Sequence, residues 1–165
     1  RCAVVITLQS LNQTERSRAT AYLKDVFLGA GTHFVFGRFT PEEYEEMKKH
    51  SEKGSEIVSQ ILVGVEDEDF VKVAKNVAHY HHEKWDGTGY PEKISGINIP
   101  PEARIMALAD VFDALVSKRC YKEKMDYDNA FRIIEESLGS HFDPELGRMF
   151  IHCRAQLEAY YNSVE

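Results

Sequence analysis

The chain has 165 residues, a formal net charge of −7 and 43% hydrophobic residues, enough for one domain with a real core and short for two. The acidic balance argues against binding a nucleic-acid polymer, which needs a basic face, but it tolerates a small anionic ligand where a metal centre and local cations supply positive charge. No run approaches the ~20 apolar residues of a membrane span and no signal peptide opens the chain. Cys2, Cys120 and Cys153 are too few and too scattered for a disulfide framework or zinc ribbon, which suits a reducing cytoplasm.

The start at Arg1 rather than Met predicts an excised domain. From Ala3 to Leu28 the pattern is mostly helical, with Val4, Val5, Leu8 and Leu11 at helical spacing. Asn12-Gln13-Thr14-Glu15 interrupts it before a second stretch that ends near Gly29 and Gly31. His33-Phe34-Val35-Phe36 is a short apolar run that fits an extended segment.

Clear signals begin at Thr40-Pro41-Glu42-Glu43, where threonine at the N-cap, proline at the first position and glutamate at the third form a capping box. The helix that follows is expected to bury Tyr44, Met47, Ile57, Val58, Ile61 and Leu62, with His50 on its length. A lone helical histidine is more often structural or solvated than a ligand. Asp67 to Asp69 start the next helix, with Phe70, Val73, Ala74 and Val77 as its apolar stripe. That helix is expected to run into His79, Tyr80, His81 and His82 and to break at Gly87, Gly89 and Pro91. Two adjacent imidazoles can ligate neighbouring ions, whereas the bland reading is a helix that ends in a polar cluster. The connection up to Pro100-Pro101 is about twenty residues long, longer than most, and Trp85 and Tyr90 within it argue for order.

Pro101 opens a helix to about Ser117, with Ile105, Leu108, Val111, Phe112 and Leu115 as its core stripe. Asp110 lies inside this apolar segment, and burying an aspartate is costly unless it is paired, hydrogen-bonded or metal-bound. Its alternative is a solvent-facing carboxylate. Arg119 and Lys122 follow as surface charges or as cations at a pocket rim. Asp126 or Asp128 caps a further helix through Phe131, Ile133, Ile134 and Leu138. Asp143 and Pro144 start the last one, which carries Leu146, Met149, Phe150, Cys153 and Leu157. Strand signals are weak, so the fold class is all-α.

His50, His81, His82 and Asp110 thus fall on three successive predicted helices as imidazole and oxygen donors. Such a set suits iron, manganese or zinc, and the absence of thiolates disfavours a structural zinc site. The matching chemistry is hydrolysis, with an activated water as nucleophile and a neutralised phosphodiester oxygen. Glu83 and Asp86 are candidates to orient the ligating imidazoles.

From Gly37 to about Phe150 the chain resembles the HD-GYP family, α-helical metal-dependent phosphodiesterases that degrade the bacterial messenger cyclic di-GMP. The residues that carry the resemblance are Gly37-Arg38-Phe39-Thr40, Met47-Lys48-Lys49-His50 with Gly54, Tyr80-His81-His82-Glu83, and Trp85-Asp86-Gly87-Thr88-Gly89-Tyr90-Pro91. Downstream they are Ile99-Pro100, Glu102-Ala103-Arg104-Ile105, Ala109-Asp110-Val111-Phe112-Asp113-Ala114-Leu115, Ser117-Lys118-Arg119 and His141-Phe142-Asp143-Pro144. The resemblance implies an HD-superfamily helical bundle with a metal site between helices, spanning 37–165 with residues 1–36 as a poorly matched N-terminal helical segment of one domain overall. It implies His50, His81, His82 and Asp110 as ligands of two or three divalent ions, iron or manganese foremost. Arg119 and Lys122 would hold substrate phosphates. Gly89, Tyr90 and Pro91 would border the pocket, with Tyr90 touching a base or a partner. It further implies a cytoplasmic module downstream of a receiver or sensor domain, diguanylate cyclase (GGDEF) domains as partners, and a homodimer.

Two departures qualify this. Arg119-Cys120-Tyr121 stands where the family usually has Arg-Pro-Tyr, which should affect the turn more than the chemistry. More importantly, no histidine here is followed by aspartate, and the only histidine before His50 is His33. The family's His-Asp pair, a following lysine and an earlier ligating histidine are therefore not in this sequence. Either the module has degenerated and binds cyclic di-GMP or a cyclase without turnover, or a segment is missing between roughly Leu28 and Gly37. The second is favoured, because the match is regular from Gly37 onward and the change before it is abrupt. A third reading is a phosphohydrolase of the wider HD superfamily acting on other nucleotides.

Overall fold

The computed structural model describes residues 40–117 and 125–164. The helical stretch Ala3–Leu28, the extended run His33–Phe36 and the region between Leu28 and Gly37 lie outside the described residues. The described residues form helices α1 (Pro41–Lys48), α2 (His50–Ile61), α3 (Glu68–Tyr80), α4 (Pro101–Val116), α5 (Tyr127–Glu136), α6 (Pro144–His152) and α7 (Arg154–Val164), with a 3-10 turn at Gly96–Asn98. No strand occurs among them, only an isolated bridge between Leu138 and Phe142. None of these helices is long and apolar enough to cross a membrane. The all-α expectation holds. The chain divides between His79 and Tyr80 into two compact units.

In the first unit the capping box is present as read. Glu43 N donates to Thr40 Oγ1 at 3.2 Å, and Thr40 N donates back to Glu43 Oε2 at 2.8 Å. This satisfies two of the amides that every helix start leaves without a partner. The single helix expected from Pro41 past Leu62 is instead two, because the backbone turns at Lys49, whose amide bonds back to Glu46 O and Met47 O. Helix α1 has no buried residue, and Tyr44, placed in the core by its spacing, is 46% exposed. The core of this unit comes from α2 and α3: Val58, Leu62, Ala74 and Ala78 are buried, with Ile61, Val65, Phe70 and Val71 packed around them. Val73, expected on that stripe, is 44% exposed. Asp67 Oδ1 accepts the Phe70 amide at 2.9 Å and starts α3.

In the second unit α4 is the central element. Ala103, Ala107, Leu108, Phe112 and Val116 are buried along it, spaced by four residues or one, as a single stripe facing α5 and α6. Phe112 anchors the core, with ring centroids of Phe131, Phe150 and Tyr161 at 4.8, 5.3 and 5.6 Å. Tilted and edge-on aromatic pairs of this kind add about 0.5–1.5 kcal/mol each beyond their buried area. Asp126 caps α5 through the Asn129 amide, and Asp143 caps α6 through the amides of Glu145 and Leu146. One core assignment changes: Ile105 is exposed. The last helix also divides, at Cys153, whose amide closes α6 on Met149 O and Phe150 O. Gly147 lets α6 approach Leu138, since a Cβ there would run into the Leu138 side chain.

Candidate functional site

The site residues belong to two units and each set stands on its own geometry. In the first unit His50 is the first residue of α2, just past the turn at Lys49. Its Nδ1 lies 2.6 Å from Met47 O. A carbonyl can only accept, so Nδ1 carries the hydrogen and the lone pair of the neutral ring is on Nε2. A hydrogen bond of this kind commonly fixes the tautomer of a metal-ligating histidine.

In the second unit His81 and His82 do not extend α3. The helix stops at Tyr80, and the two histidines occupy the turn that follows. Both are half-buried, and their ring centroids are 4.1 Å apart. The chain then folds back on them. Tyr90 N donates to His82 O at 3.2 Å, and the Tyr90 ring lies 4.8 Å from the His82 ring, tilted by 31°. This return is possible only because residue 89 is glycine. A Cβ there would lie 2.6 Å from both Glu83 Cα and His82 O and would run into Lys84 N, all backbone atoms that no rotamer change can move. The Tyr90–Pro91 peptide is cis.

Several further contacts fix this loop. Glu83 is 2% exposed, and its Oε1 accepts the amides of Glu92 at 2.7 Å and Lys93 at 3.0 Å. Asp86 Oδ1 accepts both the hydroxyl and the amide of Thr88; these two bonds hold the Asp86 carboxyl below its ordinary range. Through Oδ1 the Asp86 carboxylate closes a turn within the loop. Trp85 N donates to His141 O at 3.0 Å and Asp86 N to Ser140 O at 2.9 Å, while Gly96 N returns to Trp85 O at 2.9 Å. The carbonyls of Ser140 and His141 are therefore the backbone support of the loop. The His141 ring stacks on Phe142 at 4.3 Å. Burial pushes the His141 pKa down, Lys84 acts in the same direction, and Asp86 opposes them. Beneath the loop, Arg104 pairs with Asp143 at 2.7 Å and lies over the Trp85 ring at 5.8 Å. Burial raises the Asp143 carboxyl, but Arg104 and two capping amides outweigh it and hold the group below its ordinary range.

Asp110 is half-buried on α4, and its carboxylate makes no hydrogen bond or ion pair to another described residue. Within the second unit a half-buried carboxylate and two half-buried imidazoles offer oxygen and nitrogen donors, and His50 of the first unit offers an imidazole nitrogen. That chemistry fits iron, manganese or zinc. Arg119 and Lys122 lie outside the described residues. Tyr90, read as a rim residue that touches a base or a partner, has its ring against His82. Sequence reasoning missed Arg104 and Asp143 as partners; Glu102-Ala103-Arg104-Ile105 and His141-Phe142-Asp143-Pro144 marked both segments, but nothing in either points to the other.

The HD domain model matches residues 33–146, more than half of the chain. A cyclic di-GMP phosphodiesterase of Vibrio cholerae serotype O1 is 44% identical over 115 residues, 70% of this chain and 23% of that protein. The cyclic di-GMP phosphodiesterase response regulator RpfG of Xanthomonas campestris pv. campestris is 43% identical over 122 residues, covering 74% and 31% of the two chains. A 3'3'-cGAMP-specific phosphodiesterase 2 of Vibrio cholerae is 39% identical over 115 residues, covering 70% and 21%. This chain thus spans between 21% and 31% of the length of these three relatives. With its paired histidines in a turn closed by Gly89-Tyr90-Pro91, the chain belongs to the HD domain family, in its HD-GYP branch.

Proposed function

We propose that this chain carries the metal-dependent site of a phosphodiesterase that hydrolyses cyclic di-GMP in bacterial signalling. His50, His81, His82 and Asp110 hold two or three divalent ions, iron or manganese foremost. The observation that carries the reading is the His81–His82 pair, half-buried and 4.1 Å apart, in a turn pinned by the Tyr90 amide. The names of the relatives supply the substrate class.

Divalent ions at such a set supply Lewis acidity, acidifying a water and drawing charge from a phosphodiester oxygen. The chain's own residues do the rest. The Met47 carbonyl fixes the His50 tautomer. The Tyr90 ring limits water access to one face of the His82 imidazole. Arg119 and Lys122 hold the substrate phosphates as charge-assisted donors, and Gly89, Tyr90 and Pro91 form the mouth. In the overall reaction one water adds to phosphorus and one P–O3' bond breaks. The departing ribose oxygen takes the proton, which leaves the linear dinucleotide; a second hydrolysis gives GMP.

The same reading makes the protein cytoplasmic, attached to a receiver or sensor domain and able to meet diguanylate cyclase domains or a second copy of itself. A second reading has a specific basis: no histidine here precedes an aspartate, so the module would bind cyclic di-GMP or a cyclase without turnover. A cGAMP-specific relative at 39% identity also makes 3'3'-cGAMP a substrate to test. The deciding experiment incubates the full-length protein, loaded with manganese or ferrous iron, with cyclic di-GMP and 3'3'-cGAMP and follows the linear products. Turnover that His82→Ala abolishes supports the first reading. Saturable cyclic di-GMP binding without product supports the second.

A further inference from the structure

Arg104 is where three pieces of the second unit meet. It is the fourth residue of α4, its side chain is 16% exposed, and Nη1 donates to Asp143 Oδ2 across 39 residues of sequence. The same guanidinium lies over the Trp85 ring. Its Nε is buried and makes no hydrogen bond. A buried charge with one donor unmet is an inefficient way to fill space, because an apolar side chain of similar volume avoids the desolvation cost. Arginine offers something no apolar residue can: a flat cationic face for an indole and a fork for a carboxylate, both from one planar group.

The consequence passes along the backbone. Trp85 is tied to His141 O and Gly96 N. The two residues before it, Glu83 and Lys84, form the backbone shelf on which Gly89 rests. That shelf sets where Tyr90 meets the His82 ring. We propose that Arg104 is a positioning residue for this loop: gripping Trp85 from α4 while anchored on Asp143, it sets the orientation of the His81–His82 pair. The part that concerns metal rests on the ligand assignment above; the part that concerns Trp85 does not.

Trp85 is the only tryptophan of the chain, so its fluorescence reports this joint directly. The test compares the full-length wild type with Arg104→Lys and Arg104→Met by thermal melting, acrylamide quenching of tryptophan emission, and calorimetric titration with Mn2+. Lysine keeps a cation for Asp143 and loses the flat face. Arg104→Lys is therefore expected to melt near the wild type, to show stronger quenching, and to bind Mn2+ on the order of tenfold or more weakly, as when a group that orients a ligand is lost. A purely structural ion pair predicts lower melting temperatures with quenching and Mn2+ affinity unchanged, and that result would overturn the proposal. If the wild type binds no Mn2+, the ligand assignment fails and quenching alone decides: a rise sustains the role of Arg104, no change sinks it. Should Arg104→Met fail to fold, Arg104→Lys carries the test.

Discussion

The carboxylate of Glu83 reaches nine residues forward to accept the amide of Glu92 at 2.7 Å, and it takes the Lys93 amide with the same oxygen. A buried acceptor serving two consecutive amides closes the loop after the histidine pair without a regular secondary-structure element. Glu83→Ala should cost about 1–3 kcal/mol by removing the charged acceptor of two amides, and Glu83→Gln, which keeps an acceptor oxygen, should cost less. Hydrogen exchange reads this directly: the Glu92 and Lys93 amides should exchange faster in Glu83→Ala while those of α5 stay protected.

Two glycines make opposite predictions from similar crowding. At Gly89 the obstacles to a Cβ are backbone atoms of His82, Glu83 and Lys84, whereas at Gly147 they belong to the Leu138 side chain. Gly89→Ala must displace the loop, so it should lower Mn2+ affinity and shift Trp85 fluorescence. Gly147→Ala can be met by a new Leu138 rotamer at about 1–3 kcal/mol, with metal affinity intact. Denaturation curves and Mn2+ titration of both variants separate the two cases.

The two helix caps of the second unit should differ in strength. Asp126 is exposed and bonds only within its own turn, so Asp126→Ala should cost about 1 kcal/mol. Asp143 is buried and also holds Arg104. Asp143→Ala leaves a buried guanidinium without its carboxylate, a loss of about 3–5 kcal/mol. Equal shifts in urea midpoint would contradict the buried pairing.

How much of this was legible in the sequence follows the range of each interaction. Caps are local, and Thr40, Asp126 and Asp143 each start a helix where their residue types placed it. Stops without glycine or proline are not local, so the breaks at Lys49 and Cys153 went unread, and His81 and His82 were placed on a helix that ends before them. Periodicity gave the direction of the buried face but not its width, which is why Tyr44, Val73 and Ile105 were assigned inward and lie exposed. The residues proposed as ligands were readable by chemical type and by resemblance. The bond from Arg104 to Asp143 was not, because it joins residues 39 apart.

Stability should fall on mild acidification through His141. Burial, reinforced by Lys84, sets its folded pKa below the ordinary value, so the unfolded chain takes up the proton first as pH drops. The folded state loses ground from about pH 6.5 downward to the lower folded value, and the contribution is flat above it. His141→Asn should show a shallower loss of urea midpoint between about pH 7 and about pH 5 than the wild type. Asp86, Asp126 and Asp143, whose pKa values are also depressed, act only at more acidic pH, below the ordinary carboxylate range.

Helix α1 has no buried residue. It is held by its capping box and by exposed ion pairs of Lys48 with Glu45 and of Lys49 with Glu46, interactions worth little and weakened by salt. Opening there is cheap, and it bares two lysine peptide bonds directly before His50. Trypsin should therefore nick the folded protein after Lys48 or Lys49, faster at high ionic strength. An ion bound through His50 should slow that cut, so a protease and a gel can report on occupancy of the site where no turnover is measured.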